Sequence, residues 1–184
     1  MNIRGTLKIL AGIILIALIT AGCSKKANYP PEPVIDFQYI LVKDTVEQSE
    51  LANHVVLYEI VFKVFDGDNN LGVPVGDTTA DSTARNLFIT ILNKKNGEFD
   101  TVNLPLKLTY TIPQAQVVSI YNYFKAIVLV DLTFDPVVIQ NFLDTFKFSF
   151  YVVDQDNNIS NIQETPELTT QFRGVLGDTT TLIP

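Results

Sequence analysis

The stretch Val55-Val56-Leu57-Tyr58-Glu59-Ile60-Val61-Phe62-Lys63-Val64-Phe65 decides the fold. Val56, Tyr58, Ile60, Phe62 and Val64 share one face, and Glu59 and Lys63 lie on the other. Alternation of period two marks a half-buried strand, because successive side chains of an extended chain point to opposite sides. Similar runs recur on either side. Val34 to Val42 reads as a preceding strand and Leu87 to Leu92 as a following one. Phe99 to Leu104 comes next, and Asn96-Gly97 before it predicts a tight hairpin, since both residues tolerate positive φ. Leu106 to Ile112 reads as a short strand between Pro105 and Pro113, and residues 113–120 carry no clear pattern. In Phe124 to Phe134, the residues Phe124, Ala126, Val128, Val130, Leu132 and Phe134 all point one way. Asp135-Pro136 then predicts a helix start, with Asp as cap and Pro in the first turn. Val138, Ile139, Phe142 and Leu143 would form its apolar side. Phe146 to Val153 and Ile159 to Thr165 complete the core strands. The tail, residues 168–184, reads as an edge strand or a frayed end. About seven short strands with polar turns predict an all-β, immunoglobulin-like antiparallel β-sandwich over residues 34–167.

The N-terminus has a different character. Arg4 and Lys8 precede an apolar stretch from Ile9 to Ile19, followed by Thr20-Ala21-Gly22-Cys23. Ile9 to Gly22 is too short for a bilayer span, which takes about 20 apolar residues. A basic start, a short apolar core and small residues are instead the layout of a removable export signal. With Cys23 directly behind the small residues, residues 1–22 resemble the signal peptide of a bacterial lipoprotein. Thr20 departs from the Leu, Val or Ile more usual there. The resemblance implies cleavage before Cys23 and attachment of diacylglycerol to its thiol, with a further acyl chain such as palmitate on the freed amine. One chain binds a membrane marginally, at about 0.8 kcal/mol per buried CH₂, whereas two or more hold it stably. Ser24 implies transfer to the outer membrane, and the leaflet and face stay open. Residues 23–33 are Pro-rich and read as a tether, reaching roughly 30 Å at about 3.1 Å per residue.

The expected mature chain holds 11 basic and 20 acidic residues, a net charge of −9. Such a chain is repelled by phosphate backbones, which argues against nucleic acid as a partner. Cys23 is the single cysteine, so its use for lipid leaves no thiol for a disulfide, a zinc site or a nucleophile. Stability then rests on the core.

One internal echo stands out. Phe62-x-Val64-x-Asp66-x-Asp68-Asn69-Asn70 matches Phe150-x-Val152-x-Asp154-x-Asp156-Asn157-Asn158. These segments, with Ser160-Asn161 and Thr165-Pro166 behind the second, resemble single-domain immunoglobulin-like or fibronectin type III-like lipoproteins of Gram-negative bacteria. That family implies the fold and a lipid anchor but no agreed biochemical activity. In its topology the two echoing strands are B and F, which run the same way in facing sheets. Their acidic loops would then meet at one pole, the pole at which the tether enters.

The plainest role for these Asp and Asn residues is turn formation, through side-chain bonds to nearby backbone N–H groups. The alternative is calcium. Asp-x-Asp-x-Asn supplies oxygens at alternate positions, as a Ca²⁺ loop requires. Candidate ligands are Asp66, Asp68, Asn70, Asp77, Asp154, Asp156 and Asn158. Leu71 stands where an EF-hand has Gly, and the twelfth position from Asp66 is Asp77 rather than Glu, so neither loop is an EF-hand. The stretch from Asp66 to Asn86 is long for a connection between core strands, and such loops are functional or disordered.

Catalytic signatures are absent from the sequence: it contains no Gly-x-Ser-x-Gly, Ser-x-x-Lys, His-Glu-x-x-His or Gly-rich phosphate loop. His54 reads as a surface or turn residue. Tyr121 and Tyr123 are candidate stacking residues for a sugar or peptide, against a plainer role in packing. The expectation is a non-catalytic, lipid-anchored envelope module that binds another envelope protein or stabilises an assembly. A calcium-dependent ligand- or glycan-binding module is the alternative, and an envelope hydrolase has nothing positive behind it.

Overall fold

The computed structural model describes residues 30–47, 52–73, 85–104, 107–114 and 123–180. The alternation of the central stretch becomes β2 (His54–Asp66), flanked by β1 (Val34–Val46) and β6 (Phe124–Phe134). β10 (Gly174–Gly177) adds to β1, giving a first sheet in the order β10-β1-β2-β6. The second sheet is centred on β3 (Leu87–Lys95) and β7 (Thr145–Val152). β4 (Glu98–Thr101) and β5 (Leu108–Tyr110) share the outer side of β3. β8 (Gln163–Glu164) and β9 (Leu168–Thr169) share that of β7. Every strand pairing is antiparallel. β1, β2 and β6 facing β3, β7 and β8 reproduce the A-B-E and C-F-G halves of an immunoglobulin-like sandwich. Short edge strands raise the total above the expected seven.

Three local predictions hold for identifiable reasons. Asn96 and Gly97 both adopt positive φ, at 53° and 91°, and join β3 to β4. Asp135 caps α1 (Pro136–Phe142), its carboxylate accepting from Val137 and Val138 N–H. β6 buries its even-numbered residues to varying degree and exposes its odd-numbered ones. In α1, Ile139 is buried, as is Leu143 just after it, but Val138 faces solvent, and the side chain of Phe142 lies outside the described residues.

The last core strand differs from expectation. Ile159 and Ile162 are 60% and 63% exposed, and only Gln163–Glu164 forms ladder pairs with β7. Backbone bonds from Ser160 N–H to Val152 C=O and from Thr165 N–H to Phe148 C=O keep the segment beside β7, and the hydroxyls answer them: Val152 N–H donates to Ser160 Oγ at 3.0 Å and Phe148 N–H to Thr165 Oγ1 at 3.0 Å. The Asn161 amide reaches across to the first sheet, accepting from Ile35 N–H and donating to Ile35 C=O, both at 2.8 Å. The C-terminal segment then contributes to both sheets, with Leu168 of β9 buried in the core and β10 as an edge strand.

Between the sheets lies an aromatic seam. Tyr58 from β2 meets Phe146 and Phe148 from β7 edge-to-face at 5.8 and 5.5 Å, and Phe62 meets Phe150 at 5.1 Å. All five rings are buried. Such pairs contribute about 0.5–1.5 kcal/mol each beyond their area. The Tyr58 hydroxyl is buried without a hydrogen-bond partner, and burial pushes its pKa up to about 12. An orphaned buried hydroxyl costs about 1–3 kcal/mol. Tyr58→Phe is therefore expected to stabilise the domain by about 1 kcal/mol, seen as a higher urea midpoint at unchanged slope. A lower midpoint would show that the hydroxyl has a partner in solution.

Candidate functional site

β2 and β7 run in the same direction in facing sheets, and each ends in an acidic loop at the same pole. The echo in sequence is also an echo in backbone. Asn69 and Asn157, at matching positions, both take left-handed φ, 64° and 67°. In each loop the leading aspartate accepts from the N–H four residues on: Asn70 N–H to Asp66 Oδ2 at 2.8 Å and Asn158 N–H to Asp154 Oδ1 at 2.7 Å. Asp66 Oδ2 accepts a second bond from Leu71 N–H at 2.8 Å, and Asp154 Oδ1 one from Asp156 N–H at 2.9 Å. Turn formation is thus part of what both aspartates do.

The two loops also bond to each other. Asn70 Nδ2 donates to Asp68 Oδ2 at 3.1 Å within its own loop and to Asp156 Oδ2 at 2.9 Å across to the other. Gln155 N–H donates to Asn70 C=O at 3.2 Å, and Gln155 Nε2 to Gly72 C=O at 2.6 Å. Beneath them sits Asn86, a buried residue whose role was not foreseen. Its amide donates to Leu71 C=O and Ile112 C=O and accepts from Ile112 N–H. Its backbone C=O accepts from Val153 N–H. Asn86 therefore ties the first loop, the end of β5 and the end of β7 into one floor. Its place just before a strand gave only a turn signal.

One carboxylate oxygen each from Asp66, Asp68 and Asp154 lies within 4.8 Å of the other two. Asp66 is fully buried, yet its Oδ1 has no hydrogen-bond partner, and neither does the buried Oδ1 of Asn70. The ion pairs among the described residues are Lys94–Glu167, Lys147–Glu164 and Arg173–Asp44, and they involve none of these carboxylates. Burial pushes the Asp66 pKa up to about 6; the nearby Asp68 carboxylate raises it too, while the Leu71 and Asn70 N–H donors act to lower it.

The other candidate residues fall as follows. Asp156 is turned to Asn70, and Asn158 Nδ2 donates back to Asp154 Oδ2 at 2.8 Å. Asp77, Tyr121 and Cys23 lie outside the described residues. Tyr123 packs on Phe65 at 5.6 Å, just before β6 begins. His54 is an exposed first residue of β2, paired with Val46. Phe88 and Tyr151 escaped notice in the sequence. They are cross-strand partners on the outer face of the second sheet and stack at 5.1 Å. Strand alternation puts both outside, but their meeting depends on register. No helix among the described residues is long and apolar enough to cross a membrane.

Comparison of the chain with protein-family models, curated proteins and solved structures found no match.

The Asp66 carboxylate makes the pole pH-sensitive. Its folded pKa lies above the unfolded value of 3.8, so its stabilising contribution is full below pH 3.8 and is lost as pH rises through about 6. In EDTA, unfolding free energy is expected to lose up to about 3 kcal/mol from this group between pH 4 and pH 7. Asp66→Asn keeps an acceptor for both N–H donors and is expected to remove that loss. Parallel pH profiles for the two proteins would refute the assignment.

Proposed function

We propose that this chain is a lipid-anchored, non-catalytic module of the cell envelope whose acidic pole binds Ca²⁺. The observation that carries the calcium reading is the convergence of Asp66, Asp68 and Asp154 around a buried, unpaired Asp66 Oδ1. Ca²⁺–oxygen bonds of 2.3–2.6 Å place two ligands of one ion up to about 5 Å apart, and oxygens all within 4.8 Å of one another fit. Asn70 Oδ1 offers an amide oxygen in the same loop. Asp156 does not join this carboxylate cluster and Asp77 lies outside the described residues, so the ligand set is smaller than the seven residues marked in the sequence. Water would complete the six to eight oxygens that Ca²⁺ takes.

Binding there would relieve a specific electrostatic cost. Above pH 6 the pole holds converging negative charges, one of them out of water, and like charges disfavour each other's ionisation. A divalent ion offsets that repulsion and joins the loops of β2 and β7, stiffening one end of the sandwich. Calcium is therefore a structural ion in this reading, and it controls whether the pole can serve as a binding surface. Support for the anchor comes from the Cys23 signal, and support for a non-catalytic role from the lack of a catalytic motif in the sequence.

Orientation follows from the anchor. Val34, the first residue of β1, pairs with Phe65 beside Asp66, so the chain enters the domain at the acidic pole. A tether from Cys23 turns that pole towards the membrane. A partner meeting the acidic loops would then be membrane-proximal, such as another envelope protein.

Two experiments test the reading. Millimolar Ca²⁺ should raise the melting temperature, by about 5 °C if it contributes about 2 kcal/mol, and Asp66→Asn with Asp154→Asn should abolish the rise. A melt unchanged between Ca²⁺ and EDTA sinks the calcium site. Separately, Cys23→Ala should abolish incorporation of a labelled fatty acid and release the protein from membranes. Retention of label or membrane association would sink the anchor at Cys23.

A further inference from the structure

β6 is an edge strand. It pairs with β2 along its whole length, with no register shift, and among the described residues no strand pairs with its other side. It is 11 residues long and contains neither Pro nor Gly. The outer strands elsewhere are short: four residues in β4 and β10, three in β5, two in β8 and β9. A long, regular, unpaired edge presents a row of backbone donors and acceptors that another strand can take up. The outward face of β6 adds apolar surface, with Ile127 and Leu129 at 44% and 58% exposure. Exposed Lys125 and Asp131 flank them on the same face.

We propose that β6 pairs antiparallel with β6 of a second copy, about a two-fold axis at Val128, so that the first sheets of two sandwiches become one continuous sheet. The order Lys125-Ala126-Ile127-Val128-Leu129-Val130-Asp131 is self-complementary about its centre. With the axis at Val128, Lys125 stands opposite the second copy's Asp131, and Asp131 opposite its Lys125. Ile127 meets the second copy's Leu129, also twice. Directly opposed residues in an antiparallel pair are neighbours, and opposite charges or apolar pairs there are favourable. Neighbouring registers lose this match. An axis at Ile127 sets Lys125 against Leu129 and Asp131 against Tyr123. An axis at Leu129 sets Asp131 against Ile127 and Lys125 against Thr133. An axis between two residues would turn the second copy's core face to solvent.

The acidic poles favour the antiparallel sense. Phe124 pairs with Asp66, so β6 begins at the acidic pole and runs away from it. Antiparallel pairing carries the two poles to opposite ends of the dimer, whereas parallel pairing would set them side by side in a chain of net charge −7. Isologous contact of this kind is the usual geometry of a homodimer. The proposal is independent of calcium.

The test uses the full chain, purified in detergent and studied by density-matched sedimentation over a series up to about 100 µM protein, where weak dimers populate. A concentration-dependent dimer is expected. Lys125→Glu alone and Asp131→Lys alone should each weaken it about tenfold or more, because each places two like-charged pairs face to face. The double variant Lys125→Glu with Asp131→Lys should restore it. Both side chains are exposed, so the fold is retained in all three variants. Hydrogen exchange should show β6 amides on the free edge protected in the dimer and exposed in the single variants. A monomer throughout, or a dimer indifferent to the reversals, overturns the proposal. So does failure of the double variant, or edge protection in the monomer, which would mean that the chain covers its own edge.

Discussion

The buried carboxylate of Asp66 is the constraint on which the acidic end of this molecule depends. One oxygen accepts from Asn70 and Leu71 N–H, folding the chain sharply as it leaves β2. That turn drives Leu71 into the core and presents Asn70 to the opposite loop. It leaves the other oxygen buried without a hydrogen. The arrangement is stable as a turn and costly as a charge. A proton answers part of that cost, since burial pushes the Asp66 pKa up to about 6.

The core and the acidic pole of the sandwich are held in different ways. The aromatic seam of Tyr58, Phe62, Phe146, Phe148 and Phe150 is a matter of burial and shape. The acidic pole is held by directed polar contacts through Asn70, Asn86 and Gln155, and a lost Asn86 bond leaves a buried group unsatisfied. Substitutions in the seam should therefore act through volume, and substitutions at the pole through hydrogen-bond satisfaction and charge. The same contrast explains Ser160, Asn161 and Thr165. Their side chains add to the backbone bonds that Ser160 and Thr165 N–H make to β7, and clip β1.

Legibility varied with the range of the forces involved. Strict alternation defined β2, and in β6 even the ends matched, because burial on one side of a sheet imposes period two locally. The Asn96-Gly97 hairpin and the Asp135-Pro136 helix start were readable because left-handed φ and N-capping depend on one or two residues. Ile159 to Thr165 does run antiparallel beside β7, but only Gln163–Glu164 is regular strand, because hydroxyl and amide side chains share the pairing. Among the candidate ligands, Asp66, Asp68 and Asp154 converge, and Asp156 is turned to Asn70 instead. The type of residue was visible in the chain, but not which oxygens would be left unpaired.

The amino-acid sequence by itself determined an all-β chain, its echoing acidic turns and a basic, then apolar start before Cys23. These follow from patterns a few residues long. Tertiary structure alone decided that 88 positions of separation between Asp66 and Asp154 close to within 4.8 Å. It also chose Asn86 as the floor of that pole, joined Phe88 to Tyr151, and left β6 without a paired strand on one side among the described residues. The reason is physical: a turn or a strand is set by neighbours along the chain, whereas burial, register and an unpaired edge are set by what the rest of the chain brings alongside.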